Sequence, residues 1–361
     1  MTAKTPDMTA LPLQDPGPTA RELLFLASIT GDAATALQVP QRIAFSAWTG
    51  HIPFAFWVTR QCAPQTFVEL GSHYGVSLGA FCQQALQNPG DCLCYAVDTW
   101  KGDEQAGFYG EEVFNDIATY MHKNYAGRAH LVRTTFDEAA GIFDDGGIDL
   151  LHIDGYHSKE AMLHDFETWL PKMSERGIIL MHDINARIPG YTGFDAWREI
   201  AAKYPHFRFD HCYGLGVVLV GSNPPAPLVE LASLGQEAAD MARRYFSHAG
   251  AICEALFARV GEAQEQEKRN TEHVASLEAQ IRANGEAHAR ELDEIGARHT
   301  AEIEAHERRR EEEKRKGEAE ARDLRQEIAK LKELVAGYAN SKSWKLTEPL
   351  RMVGRAVRRK G

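Results

Sequence analysis

Between about residues 21 and 222, short apolar runs alternate with amphipathic stretches. Such alternation is typical of strands followed by helices in an α/β domain. The apolar runs predicted as parallel strands end in a turn residue or an acid, and they are 66–71, 92–98, 130–134, 148–154 and 177–183. The segment 207–221 predicts two strands around a Gly-containing turn. We therefore expect an α/β fold with a doubly wound, Rossmann-like sheet of seven strands, whose last pair is an antiparallel hairpin.

The pattern changes near residue 256, beyond which Glu, Ala, Arg, Lys and Gln dominate and proline is absent up to residue 340. Such a stretch cannot build its own core and predicts a long helix. A coiled-coil seam is marked by apolar residues spaced alternately four and three positions apart. Five residues have this spacing: Leu324, Ile328, Leu331, Val335 and Tyr338. We expect this helix to form a homo-oligomer or to bind a partner protein, with a single charged helix as the alternative.

Changes in composition divide the chain into five predicted parts. These are a disordered tail (1–20), the α/β domain (21–222), a connecting helical segment (223–255), a coiled coil (256–340) and a basic amphipathic tail (341–361). A basic amphipathic tail can contact an anionic membrane surface or a partner, or remain a solvated terminus.

Charge and composition narrow the function. With 361 residues, 44% of them hydrophobic, the chain can bury a full core. Its net charge of −11 argues against nucleic acid as a partner, because phosphate binding needs a basic surface. Six cysteines without CxxC spacing predict reduced thiols. No apolar stretch approaches the ~20 residues of a membrane span, and no signal peptide is evident, so we expect a cytoplasmic protein.

The stretch VELGSHYGVSLGAF (68–81) runs from a strand through a glycine turn into a helix. Gly71 and Gly75 let a ligand approach the backbone, and the helix offers unpaired N–H groups. Glu69 would repel a pyrophosphate and suit a cationic amine, while Asp98 at the next strand end can accept hydrogen bonds from a ribose diol. These acids favour S-adenosylmethionine (SAM), which has no phosphate, over NAD.

Two further acids end neighbouring predicted strands. Asp154 and Asp183 should meet at the carboxyl edge of the sheet, where they would repel each other unless a divalent cation lies between them. The alternative is that each caps the following turn or helix. His157, three residues after Asp154, is a candidate general base for methyl transfer to a hydroxyl. Alternatively, it simply begins the following helix.

Four stretches together resemble class I SAM-dependent methyltransferases. They are 68–83 (VELGSHYGVSLGAFCQ), 94–114 (CYAVDTWKGDEQAGFYGEEVF), 148–185 (with DGYH and HDIN) and 193–217 (GFDAWREIAAKYPHFRFDHCYGLGV). The resemblance is to the branch that groups macrolide-sugar and rhamnosyl O-methyltransferases with cephalosporin hydroxylases, and it covers about residues 45–221.

The resemblance implies roles for individual residues. Cofactor contacts are implied for Glu69, Gly71, Ser72, Ser77, Asp98 and Trp100, with Thr135 or Asp137 near the adenine. Metal-dependent relatives have an acid after strand four, an acidic pair after strand five and, three residues past the first acid, a histidine that acts as the base. Asp154, Asp183 and His157 match these positions. His182 replaces the first acid of the pair, and an imidazole ligates Mn or Fe more readily than Mg. His51 and Asn185 are candidate acceptor contacts, and 101–112 is a candidate lid.

We therefore expect a SAM-dependent O-methyltransferase, assisted by Mg or Mn, that modifies a sugar hydroxyl of a polysaccharide, its precursor or a glycosylated metabolite. The terminal SKSWKLTEPLR resembles a motif of glycan-biosynthesis enzymes and points to a saccharide acceptor. A phenol or catechol acceptor, an oxidative enzyme and a non-catalytic SAM-binding scaffold are the alternatives.

Overall fold

The computed structural model of the protein describes residues 17–32, 38–295 and 300–340, without the side chains of 287–295, 300–305, 335 and 337–340. The predicted basic tail and the predicted disordered tail up to residue 16 lie outside the described residues, as do the side chains of Val335 and Tyr338. The chain divides into two compact units, of which the first ends at Cys253 and the second is Glu254–Lys345.

The first unit is built on a seven-stranded sheet in the order β5-β2-β1-β6-β7-β9-β8. The strands are β1 (Thr66–Leu70), β2 (Leu93–Asp98), β5 (Ala129–Arg133), β6 (Ile148–Ile153), β7 (Met173–His182), β8 (His206–Phe209) and β9 (Leu215–Leu219). The first five are parallel, and β9 is antiparallel to both β7 and β8. The predicted Rossmann-like sheet with a terminal antiparallel hairpin is confirmed.

Helices cover the sheet. They are α1 (Ala20–Gly31), α2 (Ile52–Cys62), α3 (Val76–Ala85), α4 (Glu111–Tyr125), α5 (Phe136–Ala140), α6 (Lys159–Trp169), α7 (Gly193–Ala201) and α8 (Ala226–Ala232), with 3-10 turns at Thr49–His51 and Leu170–Lys172. On one face, Phe166 and Trp197 of α6 and α7 pack on strand residues such as Ile153. On the other, Phe67 of β1 stacks on Phe81 of α3 with ring centroids 4.5 Å apart. Buried apolar strands between two helical layers explain why the strand sequences are nearly continuous apolar runs.

The order of the strands places a crevice at their carboxyl ends. The chain runs outward from β1 to β2 and β5 and then returns to β6 on the other side of β1. Ligands of doubly wound folds bind where the order reverses in this way. Leu70 pairs with Ile153, and Ile153 pairs with Met181, so the residues that follow β1, β6 and β7 emerge side by side.

The predicted lid segment contains a small hairpin, β3 (Gly102–Asp103) and β4 (Gly107–Phe108), followed by the start of α4. Gly102 has φ +71°, and a Cβ there would lie 1.9 Å from the carbonyl oxygen of Gly107. The close approach of these two strands therefore requires glycine.

The second unit contains most of α9 (Gln236–Ile295), from Glu254 onward, and α10 (Thr300–Asn340). The helices run antiparallel, since Lys332 pairs with Glu267 at 3.2 Å and Arg325 with Glu278 at 3.4 Å. Leu324, Ile328 and Leu331 are half-buried. The predicted long helical extension is confirmed, but its two helices face each other within one chain. Among the described residues, no helix is long and apolar enough to cross a membrane.

Candidate active site

A cavity of about 540 Å³ opens at the carboxyl ends of β1, β2, β6 and β7. Its size is in the range of small-molecule sites. Residues from the glycine loop, the strand ends and the lid hairpin line it, among them Gly71, Ser72, Ser77, Asp98, Asp103, Thr135, Asp154, His157, His182 and Asp183. The structure thus brings most of the predicted cofactor, metal and base residues to one place.

The glycine loop follows β1 and lies against the end of β6. Gly71 has φ +83°, and a Cβ on it would lie 2.1 Å from the backbone oxygen of Asp154. Gly75, with φ +68°, is the N-cap of α3. Only glycine fits the first position, because any side chain would collide with the backbone beneath. The loop can therefore lie flat against the cavity and present its backbone to a ligand.

Asp98, at the end of β2, fastens this loop. Its carboxylate accepts hydrogen bonds from the backbone N–H groups of Ser72 (2.9 Å), His73 (3.1 Å) and Trp100 (2.7 Å). The Trp100 indole is buried and donates to the His73 carbonyl at 3.1 Å. Asp98 thus lines the cavity and organises it, whereas Trp100 is outside the described lining and supports the loop from behind.

Two predicted cofactor contacts lie away from the cavity lining. Glu69 is fully buried, where its carboxylate accepts from the Ser72 hydroxyl at 2.7 Å and lies 2.9 Å from His152 Nδ1. Successive side chains of a strand point to opposite faces, and that of Glu69 points beneath the glycine loop. Its contact with the loop is the hydrogen bond from Ser72. Asp137 is exposed and pairs with His164 Nε2 at 2.7 Å. Of the pair Thr135 and Asp137, Thr135 lines the cavity.

Asp154, His182 and Asp183 form a cluster in which one potential ligand atom of each lies within 4.8 Å of the others. His182 Nδ1 is 3.0 Å from Asp154 Oδ1 and 3.3 Å from Asp183 Oδ2. Asp183 has φ +58°, a left-handed conformation that few non-glycine residues adopt. Such local strain is typical of functional sites.

The hydrogen bonds of His182 determine which ring nitrogen faces the two carboxylates. Its Nε2 lies 3.0 Å from the Cys212 carbonyl, which can only accept, so Nε2 carries a hydrogen. Nδ1 then meets two carboxylates either with a proton or with a lone pair that shares a cation with them. Metal-ligating histidines usually donate their other N–H to a backbone carbonyl in this way. Two carboxylates and one imidazole fit a divalent transition metal.

The same carboxylates control the charge of His182. Burial lowers the pKa of this imidazole, but the negative charges of Asp183 and Asp154 outweigh burial and raise its pKa well above the ordinary value. Burial is the largest single effect on Asp154 and raises its pKa, but the charge and hydrogen bond of His182, together with His152 and His157, bring this pKa well below its usual range. With no cation present, the proton on His182 therefore balances the cluster.

The two predicted acceptor contacts lie outside the described cavity lining. His51 is fully buried, with Nε2 3.2 Å from the Cys212 carbonyl. Burial, together with His211 and His182, places its pKa well below the ordinary value, so it is neutral. Asn185 donates to the Asp210 carbonyl at 3.3 Å. Both side chains therefore fix the loop 210–214, in which Tyr213 is left-handed and lines the cavity.

His157 precedes its helix instead of capping it, because Ser158 is the N-cap of α6. Its Nε2 lies 3.0 Å from Asp183 Oδ2, and its ring stacks on Tyr191 with centroids 4.7 Å apart. The side chain is 13% exposed. A histidine held by a carboxylate and an aromatic ring at the cavity wall has the arrangement of a general base.

Sequence reasoning missed the aromatic rim of the cavity. The residues that share this position are Phe45, Tyr74, Tyr109, Tyr156, Tyr191 and Tyr213. They come from separate loops, so no periodicity or motif marks them, and only the concentration of tyrosines in these loops could have pointed to them. The described lining contains no lysine or arginine.

The strand order, the glycine loop and the cavity define a Rossmann-like domain with a candidate cofactor site. Residues 68–184 match the Methyltransf_24 family, described as a methyltransferase domain, which confirms the predicted resemblance over this part of the chain. The uncharacterized protein y4gI of Sinorhizobium fredii is 41% identical over 187 residues, 52% of this chain and 20% of that protein. The chain thus spans about one fifth of the length of this curated relative.

Solved structures similar to this chain include two O-methyltransferases. TomG of Streptomyces achromogenes, in complex with SAM, has 15% identity and a TM-score of 0.37, covering 55% of this chain and 95% of that chain. The Bacillus cereus O-methyltransferase, in complex with SAH, has 14% identity and a TM-score of 0.36, covering 54% and 90%. At this level of sequence identity, the structural similarity does not indicate a shared substrate or a shared reaction.

Proposed function

We propose that the protein is a SAM-dependent O-methyltransferase that uses a divalent metal ion. The observation that carries the proposal is that one cavity holds both the glycine loop after β1 and the cluster of Asp154, His182 and Asp183, with His157 at its wall. A cofactor site alone would serve a binding protein. A metal cluster and a candidate base beside it are what transfer to a hydroxyl needs.

The cofactor would lie along the glycine loop. Gly71 and Ser72 would present backbone to it, Asp98 would accept from its ribose, and Thr135 would lie near its base. Bound there, SAM would supply an electrophilic methyl group, and a metal ion would make an acceptor hydroxyl more acidic. The absence of lysine and arginine from the described lining is consistent with a cofactor that carries no phosphate.

His157 would take the proton of the acceptor. Asp183 Oδ2, 3.0 Å from Nε2, would accept a hydrogen bond from that nitrogen and so stabilise the imidazolium formed when Nδ1 takes the proton. Tyr191 would keep the ring in its plane by stacking. Asp154, Asp183 and His182 Nδ1 would hold the metal, and the imidazole favours Mn or Fe over Mg.

We infer an uncharged acceptor, and we favour a sugar hydroxyl. The rim of the cavity is aromatic, and its described residues include neither lysine nor arginine, so a phosphorylated acceptor would find no such side chain to pair with its charge there. Tyrosines combine an apolar ring with a polar hydroxyl and suit a ring-shaped polar ligand. A phenol or catechol is the rival acceptor, and it would fit the same rim.

Calorimetry with SAM, in the presence and absence of Mn²⁺, tests the proposal. Absence of binding in both would overturn it. Transfer of a labelled methyl group to a panel of saccharides and a panel of catechols would then identify the acceptor class. Activity confined to catechols would contradict the sugar acceptor but leave O-methyl transfer intact.

We also propose that the antiparallel helices of the second unit join a second copy of the chain. Leu324, Ile328 and Leu331 are only half-buried, so part of their apolar surface is exposed and could pack against another helix. Sedimentation equilibrium should show a dimer or larger species that Leu324→Lys dissociates. A wild-type monomer at micromolar concentration would contradict this. Membrane contact by residues 341–361 stays a prediction.

A further inference from the structure

The side chain of Gln105 links the lid hairpin to two loops of the site. Its Oε1 accepts a hydrogen bond from the backbone N–H of His157 at 2.8 Å. Its Nε2 donates to the Gly190 carbonyl at 3.2 Å. His157 follows β6, and Gly190 lies between β7 and α7. One amide therefore connects three segments around the cavity.

The hairpin is shaped to present this residue. Asp103 Oδ1 accepts from the backbone N–H groups of Gln105 (2.6 Å) and Ala106 (2.7 Å). This side-chain turn fixes the tip of the hairpin. A glutamine is suited to its two contacts because its amide both accepts and donates, which neither a carboxylate nor an apolar side chain can do.

The contacts of Gln105 meet at the candidate base. The carbonyl of His157 accepts from Thr192 N at 2.9 Å, and Tyr191, the residue after Gly190, stacks on the His157 ring. Both backbone groups of His157 and one face of its ring are thus held by the hairpin and by the 190–192 loop. Releasing Gln105 would free the His157 N–H and one side of that loop together.

We propose that the β3–β4 hairpin is a lid latched by Gln105, and that Gln105 is a positioning residue for His157. The inference rests on the proposed function for the role of His157, but the latch itself does not. Opening of the hairpin breaks two hydrogen bonds and admits ligands. Closing restores them and returns His157 to its place beside Asp183.

Three variants separate the latch from general effects of the loop. Gln105→Met keeps the length of the side chain and loses both hydrogen bonds. Gln105→Glu keeps an acceptor for the His157 N–H but cannot donate to Gly190. Glu104→Gln changes the exposed neighbouring residue in the same hairpin and serves as the control.

Hydrogen–deuterium exchange of the free protein tests the latch without any activity. Loss of one or two hydrogen bonds should speed exchange over 101–110 and 187–192 about tenfold in Gln105→Met, with no change in Glu104→Gln. The His157 amide should stay protected in Gln105→Glu. Equal exchange in Gln105→Met and the wild type would overturn the proposal.

Kinetics test the positioning role. In Gln105→Met we expect kcat to fall about tenfold with the SAM dissociation constant within about twofold of wild type, since misplacement affects the transition state more than ground-state binding. Partial rescue in Gln105→Glu is expected. An unchanged kcat would refute the positioning role. Failure to bind SAM would instead defeat the proposed function, and the exchange result would stand.

Discussion

His182 Nε2 lies 3.0 Å from the backbone carbonyl of Cys212. Because Cys212 (φ +47°), Tyr213 (φ +64°) and Gly214 (φ +91°) are all left-handed, the loop turns this carbonyl toward the sheet. The second imidazole on the same oxygen, that of His51, is buried and neutral. The loop therefore fixes the orientation of His182 and directs Nδ1 to Asp154 and Asp183.

This orientation predicts a metal preference. We expect the protein to bind Mn²⁺ more tightly than Mg²⁺, and Asp183→Asn to weaken Mn²⁺ binding by at least about 100-fold. His182→Asp should shift the preference toward Mg²⁺, because a hard oxygen replaces nitrogen. Calorimetric titration with each ion measures this, with Asp137→Asn as the control carboxylate outside the cavity. Equal Mn²⁺ affinity in Asp183→Asn and the wild type would contradict the metal site.

Asp98 and Asp154 should separate cofactor binding from turnover. The Asp98 carboxylate accepts from three backbone N–H groups. In Asp98→Asn one carboxylate oxygen is replaced by an N–H₂ donor and the other becomes a weaker acceptor, so the glycine loop loses hydrogen bonds that hold it in place. The SAM dissociation constant should rise about 10-fold or more. Asp154→Asn should leave SAM affinity within about threefold and abolish turnover. Calorimetry and a methyl-transfer assay check both, and equal loss of SAM binding in the two variants would refute the division of roles.

The candidate base predicts a loss of rate without a loss of cofactor binding. His157→Ala should lower kcat about 10²–10⁴-fold, the usual contribution of a general base. The matched control is His164→Ala, since His164 lies on α6 outside the cavity and pairs with Asp137. Steady-state kinetics measure both variants. Full activity in His157→Ala would show that His157 is not the general base.

Residues at strand ends were predictable from the sequence. The period and length of the apolar runs determine where a parallel strand stops, and parallel strands bring their carboxyl ends to one edge, so Asp98, Asp154 and Asp183 could be placed together. The apolar pattern does not determine whether the side chain of the last residues of a strand points into the cavity or beneath the loop. Glu69 precedes the glycine loop, but residues on both faces of β1 are buried, and its side chain lies against His152 and not in the cavity.

Contacts between distant loops could not be predicted. Gln105 meets His157 across 52 residues of sequence, and His51 reaches Cys212 across 161. Neither pair has a spacing rule, because loop conformation depends on turns such as the left-handed run after His211. The aromatic rim escaped prediction for the same reason. The sequence pattern likewise indicated a helical extension but not its reversal between α9 and α10.

Gly71 should be sensitive to a single methyl group. Gly71→Ala adds a Cβ that would lie 2.1 Å from the Asp154 backbone oxygen, at φ +83°. We expect a loss of about 3–5 kcal/mol of unfolding free energy, as for overpacked and strained sites. Gly146→Ala is the matched control, since Gly146 has φ +73° and its Cβ would meet nothing within 4 Å. It should cost only about 1–2 kcal/mol. Urea unfolding of both variants measures the difference, and similar losses would show that φ alone matters.

Asp165 predicts the pH dependence of stability. This side chain on α6 is buried, with Oδ2 3.4 Å from the position that a Cβ on Gly155 would occupy. Burial raises its pKa from 3.8 to about 7, against a lowering by His164. Between about pH 4 and 7 the folded state therefore binds more protons than the unfolded state, so this group makes stability fall as pH rises. The full effect is about 4 kcal/mol, at about 1.4 kcal/mol per pH unit.

Asp165→Asn removes this ionisation. We expect the variant to be more stable than the wild type by about 1–4 kcal/mol at pH 8 and to show little difference at pH 4. Urea unfolding at both pH values measures this, with Glu160→Gln, an exposed position on the same helix, as the control. A variant less stable than the wild type at pH 8 would show that the Asp165 carboxylate is stabilised in the folded state. Its burial beside Gly155 would then require a cationic or hydrogen-bonding partner that holds the charge.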